Sequence, residues 1–124
     1  MELIHKELAF KIIGCAMEVH KTLGVGFLES VYENALKIEL GLQNIIFESQ
    51  KNYPVIYKGK IVKDFLCDLI VEDKVVLELK AIKQIGDIER AQVINYLKVT
   101  GYQLGLLINF GEQSLNYERI ILTN

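Results

Sequence analysis

The chain has no excess of basic residues. Its 14 lysines and arginines stand against 16 acids, a net charge of −2, whereas a protein that grips nucleic acid by its phosphates ordinarily carries a clear surplus of cations. Lys58, Lys60 and Lys63 do cluster, but a solvated turn at a sheet edge accounts for them equally well. Cysteine is scarce too. Cys15 and Cys67 lie far apart among apolar neighbours, which gives neither a zinc pattern nor a disulfide framework, and they are too few for an iron–sulfur cluster; they read as small core residues. The longest apolar run without a charge, residues 104–111, falls far short of the roughly 20 residues that a membrane-spanning helix takes. Charges at Glu2, Lys6 and Glu7 interrupt what would have to be the apolar part of a signal peptide. A cytoplasmic protein that avoids the membrane is expected. With one proline and no low-complexity stretch in 124 residues, no linker is indicated, and one domain over residues 1–124 is the natural reading.

What is present is a clear alternation of periods. Leu8, Ile12, Cys15, Ala16, Val19 and Leu23 recur at helical steps and predict a first helix over residues 3–23, broken by "LGVG". A second helix is expected over 28–42, with Leu28, Val31, Tyr32, Ala35, Leu36 and Leu40 on its buried side. Residues 46–57 contain Pro54, which an edge strand tolerates and a central strand does not. Strands follow over 62–71 and 75–82, then a helix over 88–100 with Asp87 as its N-cap and Gly101 as its left-handed end. The run "LGLLINF" at 104–110 is apolar on both faces and predicts a strand covered on both sides, and 115–122 makes the last strand. The order ααβββαββ describes an α/β fold, a mixed sheet of about five strands flanked by helices.

Three charges sit where these strands should be apolar: Asp68, Glu78 and Lys80. Side chains alternate along a strand, so Glu78 and Lys80 share a face. Asp68 joins them only if paired residue numbers sum to an even value, which a three-residue turn at 72–74 provides by setting Asp68 opposite Glu78. Two carboxylates beside an ammonium suit a hard divalent cation bound through oxygen. Such a cation polarises a phosphate and acidifies a bound water, and the lysine can orient that water or stabilise charge on phosphorus. For Glu78 and Lys80 alone, a solvated strand face carrying an ion pair is the plainer explanation. Gln92 and Tyr96, at i and i+4, share one face of the third helix and by themselves fit the margin of a core.

"GFLESVY" resembles the signature of the GxxExxY proteins, with Gly26, Glu29 and Tyr32 at its fixed positions. "YENALKIEL", "FLCDLIVEDKVVLELKA", "AQVINYLKVTG" and "GLLINFG" also look like that family, so the resemblance covers almost the whole chain. The family is similar to the PD-(D/E)XK nucleases, RecB-like members above all, and so implies a restriction-endonuclease-like fold. Carried over, it makes Glu29 the helical acid and a further metal ligand, and Asp68 the metal-binding aspartate. Glu78 and Lys80 become the E-x-K pair, and Gln92 with Tyr96 the Q-x-x-x-Y motif. Some RecB-like nucleases add a histidine ligand near the first motif, a role that would fall to His20.

The resemblance implies a nuclease dependent on Mg²⁺ or Mn²⁺ that hydrolyses phosphodiester bonds of nucleic acid, DNA foremost. An acidic chain of this size is expected to need a homodimer, a protein partner or a special substrate end to bind well. The competing reading is a non-catalytic module that keeps the nuclease fold and acts through another protein. Loss of Asp68 or Lys80 would favour it, and both are present.

Overall fold

The computed structural model describes residues 3–123 of the chain; residues 1, 2 and 124, the ends of the expected domain, lie outside the described residues. Helices α1 (Lys6–Leu23) and α2 (Glu29–Leu42) come first, then strands β1 (Phe47–Tyr57), β2 (Lys60–Val71) and β3 (Val75–Lys80). Helix α3 (Asp87–Thr100) and strands β4 (Leu104–Asn109) and β5 (Asn116–Ile121) complete the order ααβββαββ. The strands form one sheet in the order β1-β2-β3-β4-β5. Among the described strands only β3 and β4 pair in parallel, and α3 lies between them in the chain. This is the expected α/β fold, one mixed sheet of five strands flanked by helices, and no described helix is long and apolar enough to cross a membrane.

Alternation along β3 sorts the core. Val75, Leu77 and Leu79 pack with Ile12, Ala16 and Val19 of α1 and Tyr32, Leu36 and Leu40 of α2. Val76 faces the other way, with Ile70 and Leu107, against Val93 and Leu97 of α3. Every residue of β4 is buried, as its unbroken apolar run requires. Pro54 lies in β1, the edge strand, where a missing backbone donor leaves no gap in the centre of the sheet.

Two sequence expectations need correction. Leu28 is not part of the buried side of α2: it is the N-cap residue and 77% exposed, because the chain is still extended there. The N-cap of α3 is Gly86 rather than Asp87; the Gly86 N–H donates to Glu89 Oε1 at 2.6 Å, while Asp87 is already helical and pairs with Arg90 at 2.9 Å. Gly101 does close α3 in the left-handed region, at φ 80°.

Two glycines allow close approaches. At Gly105 a Cβ would strike Val93, so its absence lets α3 settle on β4. At Gly111 a Cβ would strike the backbone of Ile82, which cannot move aside as a flexible side chain would. Gly111→Ala should therefore destabilise the fold by at least about 2 kcal/mol. Gly14→Ala, in the middle of α1 with nothing within 4 Å of the added methyl, should instead stabilise it by up to about 1 kcal/mol through helix propensity and a less disordered unfolded chain. Urea titration of the three proteins measures both, and equal stabilities would refute the close-approach account of Gly111.

Candidate metal centre

The turn between β2 and β3 has three residues, 72–74, with Glu72 and Asp73 both left-handed at φ 52° and 54°. It fixes the pairs Val71↔Val75, Ile70↔Val76 and Leu69↔Leu77. Continuing that register sets Asp68 against Glu78, but the ladder stops at Leu69, and the Asp68 side chain takes over. Its Oδ2 accepts a hydrogen bond from the Leu79 N–H at 2.9 Å. The carboxylate thus fills the space where the two strands part, beside Glu78.

Glu29 arrives from the other end of the molecule's core. The loop before α2 contains Gly24 and Gly26 at φ 70° and 107°, conformations that glycine adopts without a Cβ clash. Tyr32, one turn into α2, ties the loop down: its hydroxyl donates to the Gly24 carbonyl at 2.6 Å and accepts from the Phe27 N–H at 3.3 Å. Its ring stacks on Phe110 with centroids 4.8 Å apart. Glu29 is the first residue of the helix so oriented.

One carboxylate oxygen from each of Glu29, Asp68 and Glu78 lies within 4.8 Å of the other two. Glu78 is only 4% exposed, and its Oε2 is buried with no hydrogen-bond partner. Burial, a hydrogen bond to Asp68 and the negative charge there push the Glu78 carboxyl far above the usual range, although Lys80 pulls the other way. Glu29 is raised by burial first and then by Asp68. A buried, unpartnered carboxylate oxygen among other acids is costly. Three hard oxygen donors with one nearby ammonium fit a divalent cation such as Mg²⁺ or Mn²⁺, which would supply both the missing partner and the missing charge.

The remaining sequence candidates take different places. Lys80, half-buried, follows Glu78 on the same face of β3. Tyr96 is half-buried; its ring meets Phe65 edge-on at 5.6 Å, and its hydroxyl is held protonated by burial and by the charges of Glu78 and Asp68. Gln92, one turn earlier, is exposed at the rim of α3 and forms no hydrogen bond with the carboxylates. His20 does not join the carboxylate group: its Nε2 donates to the Glu112 carbonyl at 2.8 Å, which engages that nitrogen in holding the loop after β4 to α1.

Sequence reasoning passed over Asn109. Fully buried at the end of β4, it accepts from the Ile82 N–H at 3.0 Å and donates to the Ile82 carbonyl at 2.9 Å. Glu112 Oε2 takes its other amide hydrogen at 2.7 Å. The Phe110 N–H donates to the Lys80 carbonyl at 2.8 Å, so the chain leaving Lys80 is clamped on both sides. A polar residue inside "LGLLINF" was the available signal.

An apolar groove of about 540 Å³ runs between α1 and β5, lined by Phe10, Met17 and Tyr117 among others, and none of the candidate residues borders it.

No curated protein matches the chain significantly. Among solved structures, the crystal structure of SSO0001 aligns with a TM-score of 0.59 at 18% identity. The match covers 77% of this chain and 50% of that one, so the chain spans about half the length of this structural relative, and the likeness is one of fold. The model of the PD-(D/E)XK nuclease superfamily matches residues 6–120, a span that takes in both helices before the sheet, the three carboxylates, Lys80 and the whole of α3. The chain belongs to the PD-(D/E)XK nuclease superfamily.

Proposed function

We propose that this chain is a metal-dependent nuclease of the GxxExxY kind, related to the RecB-like branch, working in the cytoplasm as one domain over residues 1–124 and cleaving phosphodiester bonds in nucleic acid, DNA foremost. The observation that carries this reading is the convergence of Glu29, Asp68 and Glu78 around the unpartnered Oε2 of Glu78. These three carboxylates would hold Mg²⁺ or Mn²⁺. Bound there, the ion would polarise the scissile phosphate and acidify a water.

Lys80 presents an ammonium beside the carboxylates, a donor that orients the attacking water or offsets charge growing on the phosphate oxygens. Tyr96, held protonated at neutral pH, offers a hydrogen bond from the wall formed by α3. Gln92, exposed on α3, would donate to the phosphate backbone of a bound strand. His20 keeps a positioning role through Glu112, whose side chain holds Asn109. A homodimer or a protein partner would extend the surface that holds the substrate.

Metal binding and cleavage should separate. Asp68→Ala removes an anionic ligand and is expected to weaken Mg²⁺ binding and cleavage together. Lys80→Ala removes a repelling cation, so Mg²⁺ affinity should hold or rise while cleavage falls at least about a hundredfold. Calorimetric titration paired with a cleavage panel on single-stranded, duplex and branched DNA and on RNA tests this. Lys80→Ala cleaving as fast as wild type would sink the mechanism. A wild type that binds Mg²⁺ and cleaves nothing would leave a non-catalytic module.

Stability should also depend on pH in a way that the cation reverses. The folded state of the metal-free protein keeps a proton on Glu78 that the unfolded chain releases above about pH 4.5. The unfolded state therefore binds fewer protons, and stability falls as pH rises from about 5 through neutrality. Holding that proton costs about 1.4 kcal/mol for every pH step of one, so the loss by pH 8 is on the order of 2–4 kcal/mol. Urea denaturation at pH 5, 6.5 and 8 should show this slope in chelator, a much flatter one in saturating Mg²⁺, and a shallower one for Glu78→Gln in chelator, where the raised Glu29 still contributes. A wild type whose stability is level across that range without metal would contradict the buried-acid account.

A further inference from the structure

The β1–β2 hairpin reaches well beyond the sheet. Strand β2 has 12 residues, but β3 pairs with it only at Leu69, Ile70 and Val71. Residues 51–66 therefore form a two-stranded arm closed by the turn Lys58–Gly59, both residues left-handed at φ 48° and 79°. Such a turn matches the twist of a hairpin. From Leu66 to Gly59 the arm extends about 23 Å at the usual rise of a strand.

Its charge is unlike that of the rest of the chain. Residues 51–66 carry four lysines and one acid, Asp64, so a net −2 overall means +3 here and −5 elsewhere. A bulge organises those lysines. Val55 pairs with Lys63 and Ile56 with Ile61, leaving Val62 as the extra residue; Tyr57 then pairs with Lys60. Lys60 and Lys63 are three apart and would face opposite ways in a regular strand, but the bulge returns Lys60 to the face of Lys63. That face carries Lys51, Tyr53, Tyr57, Lys60, Lys63 and Phe65, as the cross-strand pairs dictate.

The same face leads into the carboxylate site. Phe65 at its base packs edge-on against Tyr96, and Tyr96 stands beside Glu78. Lys51 is ion-paired with Glu48 at 2.9 Å, while Lys63 sits 6.0 Å from the Phe65 ring centroid and Lys58 5.3 Å from that of Tyr57, contacts that steady those two ammonium groups without neutralising them. Lysines, a proline and a bulge are also the devices that protect a sheet edge, but edge protection does not require the lysines and rings to share one face, and Ile56, Ile61 and Leu66 stay exposed on the opposite face with Asp64 as the nearby charge.

We propose that this face of the arm binds the phosphate backbone of nucleic acid without reading its sequence, and leads the strand past Tyr96 to the carboxylates. Its use in cleavage rests on the nuclease reading; the binding itself does not, and it is measured without turnover. A two-stranded ribbon is narrow enough to enter the major groove of a duplex, and its lysine–aromatic face also suits a single strand. The shared ligand is the phosphate chain.

Fluorescence anisotropy with a labelled 20-mer, single-stranded or duplex, in chelator from about 25 to 200 mM salt tests the proposal. Lys60→Gln/Lys63→Gln should bind several-fold more weakly than wild type at every salt concentration. Its log–log salt slope should be shallower by about 1.8 on duplex and about 1.4 on single strands. The same two-charge change on α1, Lys11→Gln/Lys21→Gln, should leave affinity and slope near wild type. The Mg²⁺-induced rise in melting temperature should be equal in all three proteins, showing that the carboxylate site is intact. Whichever substrate gives the larger loss in the arm variant identifies the form of nucleic acid bound. Equal losses in the two variants, no loss in the arm variant, or no binding by wild type even at the lowest salt would each overturn the proposal. Binding that follows the arm in a protein that never cleaves would overturn the nuclease reading and leave the arm standing.

Discussion

A carboxylate has been placed where the fold would be cheaper without it. Glu78 occupies the middle of a strand whose neighbours on both sides in sequence are leucines, and it is buried with one oxygen unpaired. Keeping that group out of water costs several kcal/mol when it is charged, or the free energy of holding its proton when it is neutral. The surroundings do not relieve that cost. Asp68 and Glu29 add negative charge, and Lys80 offsets only part of it. Leucine at position 78 would serve the packing better, so the arrangement makes sense as a site that a cation completes. Much else follows from it. The odd turn at 72–74 sets the register, the Asp68 carboxylate replaces a ladder bond at Leu79, and Asn109 pins the chain beyond Lys80.

The GxxExxY signature acquires a physical reading from the same geometry. Gly26 supplies a backbone conformation with φ 107°, which lets the chain reverse between α1 and α2. Tyr32 closes that reversal by bonding back to Gly24 and stacking on Phe110 at the end of β4. Glu29 lies between the two, in the first turn of α2, where the helix dipole favours a negative charge while burial opposes it. The glycine and the tyrosine fix the direction of a helix start, and the glutamate uses that direction. Such a motif aims one carboxylate at a strand about 50 residues away in sequence, with the tyrosine hydroxyl as the tie.

The order of elements was legible because the helical and strand periods are clean, and the odd turn that brings Asp68 beside Glu78 was legible because strand parity leaves only two options. Element ends were less so. Leu28 looked buried from periodicity alone, but an N-cap residue departs from helical geometry, so the helical wheel does not apply to it. Asp87 looked like a cap because aspartate often is one, whereas Glu89 reaches back to the Gly86 N–H and moves the helix start by one residue. Asn109 was hidden in an apolar run, since its partners at Ile82 and Glu112 depend on tertiary contact. The lysines of the arm were visible as a cluster, but their common face depends on a bulge at Val62, and a bulge has no reliable sequence signal.

Net charge was the main objection to a nucleic-acid substrate, and it averages over surfaces that do different work. Arg90 is engaged by Glu118 and Asp87, and Arg119 donates to the Ile4 carbonyl at 2.8 Å, so both arginines serve the fold. The acids of the body would repel a phosphate chain that approached without guidance. Salt screens such repulsion beyond roughly 8–10 Å, while an arm about 23 Å long can engage phosphates outside that range. On the proposed reading the two halves of the charge distribution then divide the task. The arm supplies attraction at a distance, and the carboxylates, once a cation neutralises them, become attractive to the single phosphate that reaches them. A chain that is acidic overall can in this way handle a polyanion, because the charges that meet it first are those of the arm.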